Sequence, residues 1–310
     1  MARAGKYHWS DVEGSGGRLS RLLWTLASLT FCAGTLVQAQ GELATTHLVT
    51  VDGRNMRVRT QGLETRRSGQ PLIVLEAGAG EGLDNWTPVF AQLARLGPVV
   101  AYDRRGIGQS EPDVVRPSLR RVAQSLHALL GALDEPPPYL IVGHSWGGLF
   151  TWAFSDQYAA ELAGLVFLDV TDFETTQEEK AAAVAPEDRE RVLAPPTIPP
   201  IPPDTPPGLR AEYEVVASEM LGNYPEARTL NRRSAVPVAV IVATPSARMQ
   251  GLSGEMVNLQ MKHQAQWALG SPNGQFMSAE VGHMVHRDDP ALVVRVVERL
   301  LMNRPAPAGR

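Results

Sequence analysis

The residues with the clearest chemical potential lie in LIVGHSWGGLF, Leu140 to Phe150, where one apolar run stops at Gly143 and another starts after Gly148. Between them a single hydroxyl, Ser145, stands among glycines. The pattern predicts a buried strand turning sharply into a helix, with the glycines permitting the turn and Ser145 raised above the sheet. A serine hydroxyl is a weak nucleophile near neutral pH and needs a base to take its proton. Seven histidines could supply one. His8 is close to the N-terminus, His47 lies in a hairpin pattern, and His127 flanks the apolar face of a helix. His144 sits inside the turn and points away from it, and His263 belongs to a helical run. His283 and His286, in AEVGHMVHRDDP, remain on a loop after the last strand pattern, from which a base can reach the turn. The pair is also spaced for a metal, but no third ligand lies nearby and Cys32 is the chain's single cysteine, so no metal site is expected.

These side chains can meet only if the elements around them converge. His47–Gly62 holds two β-type runs about Asp52-Gly53, a strong hairpin signal. PLIVLEAGAG (Pro71 to Gly80) reads as a buried strand entering a glycine-rich loop, and PVVAYDRRGIGQS as a second strand and loop. Thr87 can cap a helix with Pro88 at its first position. Leu119, Val122, Leu126, Leu129, Leu130 and Leu133 share one helical face. YLIVGHS is a strand, GGLFTWAFSDQYAAEL a helix and GLVFLDV a strand again. Such alternation, with strands apolar throughout, predicts an α/β fold whose mostly parallel sheet is covered on both faces. The alternation breaks over residues 171–235, an Ala/Glu-rich helix, a proline tract and an amphipathic piece near Tyr213–Leu221. It resumes at VPVAVIVATP and GQFMSAE and ends in a helix capped by Asp289. The expected organisation is a first core part at 40–170, a helical, Pro-rich cap at 171–235 inserted between two core strands, and a second core part at 236–310. A cap in that position covers the C-terminal edge of the sheet, where open α/β sheets bind ligands.

Composition narrows the classes further. The chain has 310 residues, 44% hydrophobic and 20% charged with a net charge of −4, which suits a globular protein and offers no basic surface for nucleic acid. Arg18 and Arg21 precede LLWTLASLTFCAGTLV, an apolar run followed by small residues. Residues 1–39 are therefore expected to be a signal peptide cut after Ala39, with secretion or export to the periplasm, and a retained anchor as the alternative. Cleavage would remove Cys32, leaving a mature chain without a thiol and without a stable membrane span.

Gly143-His144-Ser145-Trp146-Gly147 is a G-x-S-x-G pentapeptide between a strand and a helix, and YDRRGIGQS resembles the D-x-R-G-x-G-x-S segment of the same enzymes. The chain resembles the capped serine hydrolases of the α/β-hydrolase fold, carboxylesterase-like members included. That resemblance implies Ser145 as nucleophile and His283, which follows Gly282 as the family's histidine does, as general base. The acid that orients the imidazole should fall between them in the chain. Most relatives carry an aspartate after the strand following the cap, but VATPSARMQGLSG has none, so Asp169 or else Asp172 in LVFLDVTD is the expected acid. The resemblance further implies that the backbone N–H groups of Ala79 and Trp146 hold the oxyanion, with Ala77 where a histidine is usual. Gly78 and Gly80 would let that loop approach a substrate. Asp103, also in the site region, is expected to hold its own loop through backbone N–H groups.

The function expected is hydrolysis of small carboxylic esters without a cofactor. Two alternatives stay open. GHSWGG is also similar to the elbow of proline iminopeptidases, in which case a cap acid (Glu178, Glu179, Glu187 or Asp188) would bind the substrate amine. The missing acid after the post-cap strand instead favours a non-catalytic protein that binds a small ligand.

Overall fold

The computed structural model describes residues 43–244 and 254–302. The signal-peptide reading of residues 1–39, with its cut after Ala39, lies outside them, as does the end of the run begun at Val236. Eight strands form one sheet: β1 (Thr45–Val51), β2 (Arg54–Gln61), β3 (Leu72–Glu76), β4 (Val99–Tyr102), β5 (Tyr139–His144), β6 (Leu162–Leu168), β7 (Val238–Ala243) and β8 (Gln275–Ala279). Their order is β1-β2-β4-β3-β5-β6-β7-β8. The β1–β2 hairpin turns at Asp52-Gly53 and pairs antiparallel with β4, whereas every pairing from β4 to β8 is parallel.

Strict period-2 alternation explains why the central strands read as unbroken apolar runs. Leu72 and Val74 join the core on one face of the sheet, while Ile73 and Leu75 of the same strand join the core on the other. The first face is covered by α2 (Leu119–Ala132) and α3 (Gly147–Tyr158), the second by α1 (Thr87–Leu93) and the C-terminal helix Pro290–Met302. α3 is buried continuously from Gly147 to Ser155, so its side chains are small or apolar on every face. α1 differs from expectation at its start. A 3-10 turn over Leu83–Trp86 runs straight into it, so Thr87 is its first residue and donates to the Asp84 carbonyl instead of capping. Asp289 does cap, accepting from the Leu292 N–H at 2.9 Å.

Between β6 and β7 the described residues contain no strand. The Ala/Glu-rich stretch forms two short helices, α4 (Gln177–Ala182) and α5 (Arg189–Leu193), and α6 (Pro207–Leu221) follows the proline tract. α6 begins earlier than the amphipathic pattern indicates, because Pro207 occupies its first turn, where a missing N–H is harmless. After β7 come α7 (Gly254–Leu269), β8, a one-turn helix Val285–Asp288 and the C-terminal helix.

Candidate active site

Three strand ends build the site. β5 and β6 are parallel neighbours in which His144 pairs with Leu168, so the next residue of each chain segment, Ser145 and Asp169, leaves the sheet side by side. The loop after β8 brings His283 to both. Ser145 has φ 52°, a left-handed conformation that costs a non-glycine residue about 1–3 kcal/mol. It is retained because Ser145 N–H donates to the Leu168 carbonyl at 3.0 Å and the Ser145 carbonyl accepts from Gly148 N–H at 3.1 Å. The elbow glycines thus act differently from the expectation. The serine itself makes the turn, and the glycines allow close packing: a Cβ on Gly147 would lie 2.5 Å from the carbonyl oxygens of Glu76 and Ala77.

Asp169 is also left-handed, with φ 43°. Its N–H donates to the Ile241 carbonyl at 2.8 Å and its Oδ1 accepts from Ala243 N–H at 2.9 Å, so β7 holds both its backbone and its carboxylate. Oδ2 lies 2.7 Å from His283 Nδ1, and His283 Nε2 lies 2.9 Å from Ser145 Oγ. A carboxylate only accepts, so Nδ1 carries the hydrogen and Nε2 of the neutral ring is free to accept the serine proton. The bond to Asp169 raises the His283 pKa above its ordinary 6.5, against the opposing effect of burial. Asp172, the other candidate acid, lines the same cavity, but its Oδ1 accepts from Glu174 and Thr175 N–H groups, each at 3.1 Å, and shapes its own loop. His286 does not reach Ser145. It is fully buried between Trp86 and His144, with ring centroids 4.5 and 4.7 Å away. Asp103 accepts from Leu83 and Gln109 N–H groups at 2.8 and 3.1 Å, as its loop-holding reading expects.

Ser145 and His283 open into a cavity of about 380 Å³, walled also by Ala79, Trp146, Val216, Met220, Tyr224 and Met256. That is the size of an ordinary small-molecule site, and polar side chains, among them Asp172, Thr175, Lys180 and Gln260, share its walls with the apolar ones. Ala79 and Trp146 N–H groups form no hydrogen bond with any described residue, so both remain available to a ligand at Ser145. The space above Gly78 and Gly80 is taken by protein, not by the cavity: a Cβ on Gly78 would meet Glu81 at 2.8 Å, and one on Gly80 the Tyr213 hydroxyl at 2.5 Å. None of Glu178, Glu179, Glu187 and Asp188 lines the cavity. Among the described residues no group of three or more His, Cys, Asp or Glu is arranged to hold a metal.

Two supports escaped the sequence reading. His144 Nε2 donates to the His283 carbonyl at 3.0 Å while its Nδ1 lies 3.2 Å from Glu81, whose carboxylate also accepts from Gly78 N–H at 3.0 Å. The elbow histidine therefore ties the base loop to the glycine-rich loop. Half-burial works against ionising Glu81, yet His144 and the Gly78 N–H hold its pKa below the usual range. The second support joins Glu76, Arg104 and Glu212, all buried, where desolvation pushes Glu76 up to about 6. Arg104 was visible within YDRRG, but nothing in the local sequence marks Glu212.

Comparison with known proteins agrees with this architecture. A family model described as the alpha/beta hydrolase fold matches residues 70–200. An uncharacterised protein, YqjL of Bacillus subtilis, is 25% identical over 232 residues, 71% of this chain and 79% of that one. Seven further curated relatives are spanned over only 18–44% of their length. The epoxide hydrolase CorEH superposes with a TM-score of 0.58 at 18% identity, covering 84% of this chain and 99% of that one. A thermophilic esterase from Thermogutta terrifontis gives 0.56 at 20% identity, over 84% and 98%. At such identities the structural likeness speaks for the fold alone. The chain has the α/β-hydrolase fold, and residues 70–200 match the model of that family.

Proposed function

We propose that this protein is a serine hydrolase that cleaves carboxylic esters through an acyl-enzyme on Ser145. The observation that carries the reading is the unbroken line of hydrogen bonds from Asp169 through His283 to Ser145, at 2.7 and 2.9 Å. Ser145 Oγ attacks the acyl carbon as His283 Nε2 takes its proton, and Asp169 stabilises the resulting imidazolium. The oxygen turning negative meets the Ala79 and Trp146 N–H groups, each worth on the order of 10²–10³ in rate. His283 returns the proton to the leaving alcohol, and water repeats the sequence to free the acid. A serine at the elbow fits acyl transfer better than the carboxylate-nucleophile chemistry of epoxide hydrolases. Glu178, Glu179, Glu187 and Asp188 are absent from the cavity, so an amine-recognising peptidase would have to use Asp172, which lines it. Residues 171–235 are read as the cap, and the leader at residues 1–39 adds export to the proposal. Among the described residues no helix is long and apolar enough to cross a membrane.

A fluorophosphonate probe read by intact mass tests the reading, with a panel of esters for turnover. The native protein should gain one adduct, Ser145→Ala none, and Asp169→Asn should label on the order of 10⁴-fold more slowly. Native protein that neither labels nor turns over any ester would leave a non-catalytic binding role.

A further inference from the structure

The Arg104 side chain is buried, and every one of its nitrogens is bonded. Nη1 donates to Glu76 and to the Ala77 carbonyl, both at 2.8 Å. Nη2 donates to the Gly78 carbonyl and to Glu212 Oε1, both at 2.7 Å, and Nε donates to Glu212 Oε2 at 2.9 Å. Glu212 Oε1 also accepts from Gly80 N–H at 2.7 Å. The pair therefore grips the glycine-rich loop on both sides of Ala79, through two carbonyls before it and one N–H after it. Neither Arg104 nor Glu212 lines the cavity at Ser145, so both act through the loop.

Half of this grip comes from α6, in the segment inserted between β6 and β7. α6 meets the core backbone to backbone at Gly208: a Cβ on Gly106 would lie 2.6 Å from the Gly208 Cα, and next to it the Tyr213 hydroxyl abuts Gly80. Gly208 is one turn before Glu212 on the same helix, so the backbone contact sets where the carboxylate arrives.

We propose that Arg104 and Glu212 are positioning residues that make the Ala79 oxyanion donor depend on the docking of α6, so that the inserted segment completes the oxyanion hole. The inference rests on the acyl-enzyme reading above. An N–H displaced from the developing oxyanion loses most of its effect, since such donors act only at close range and in fixed orientation. Undocking α6 would leave Gly80 N–H without its acceptor and Arg104 without two of its bonds, freeing the loop while leaving Ser145, His283 and Asp169 joined.

The test compares the full-length native chain with Glu212→Ala, Gly208→Val and the double variant Arg104→Met/Glu212→Met. The double variant also takes the cation from Glu76, which keeps the Tyr102 hydroxyl and can take up a proton, so it leaves no buried charge unpaired and guards against failure to fold. Active sites are titrated with the fluorophosphonate, and turnover per titrated site is measured on a small ester. All three variants are expected to lose on the order of 10–100-fold in kcat with little change in KM. Affinity for a trifluoromethyl ketone, which mimics the oxyanion, should fall by the same factor as kcat/KM. The pH midpoint of His283 should not move, and hydrogen exchange at Gly80 N–H should quicken. Unchanged turnover per titrated site in folded variants, or a loss carried by KM alone, would overturn the proposal. A native protein that never labels would instead bring down the acyl-enzyme reading itself, and that result is separately visible.

Discussion

Ser145 is held where its own backbone prefers not to be, and that conflict is measurable. Glycine tolerates φ 52° without the penalty a side chain pays, although it loses more chain entropy on folding. Ser145→Gly should therefore raise stability by about 1 kcal/mol while abolishing activity, a trade seen as a higher denaturation midpoint in an inert protein. Reduced stability would mean that the serine hydroxyl contributes more to the fold than its backbone strain removes. His283 gives a second prediction at the same scale. Its pKa lies above 6.5, and only the neutral ring can accept the serine proton, so kcat/KM should rise with pH through a midpoint above 6.5. Asp169→Asn removes the largest cause of that shift and should move the midpoint down. A midpoint indifferent to Asp169 would show that another group sets it.

At the scale of elements, the elbow is a junction of three backbones. β5 ends against the carbonyls at the end of β3, and α3 starts there with no room for a side chain at Gly147. Gly147→Ala should cost about 1–3 kcal/mol through overpacking and should slow labelling of Ser145 by displacing Ala77 and the loop that follows. Full activity with normal stability would mean that β3 can retreat without disturbing that loop. The prediction belongs to the junction because neither Gly147 nor the two carbonyls does chemistry.

Across the whole molecule, one buried group ties stability to pH. His286 is packed between Trp86 and His144, and burial lowers its pKa to about 3. A histidine depressed in the folded state contributes stability that is complete above its unfolded pKa of 6.5 and is lost as pH falls toward the folded value. Between pH 7 and pH 5 the native protein should therefore lose about 2 kcal/mol that His286→Leu does not lose. Denaturant midpoints at the two pH values measure the difference, and equal losses in both proteins would show that His286 takes up its proton without unfolding.

The sequence by itself determined the alternation of strands and helices, the elbow at Ser145 and the short choice of partners for it. It could do so because those features are local: a period of two along β3, a stripe of leucines on α2, a serine flanked by glycines at a strand end. It could not decide between Asp169 and Asp172, which stand three residues apart at the end of the same strand. The parallel pairing of β6 with β7 separated them, aiming Asp169 at His283 and turning Asp172 back on its own loop. Nor could it couple Glu212 to the glycine-rich loop, or His144 to the carbonyl of His283. Those contacts join residues more than a hundred positions apart. Their geometry exists only once the sheet order and the seat of α6 have been set by packing.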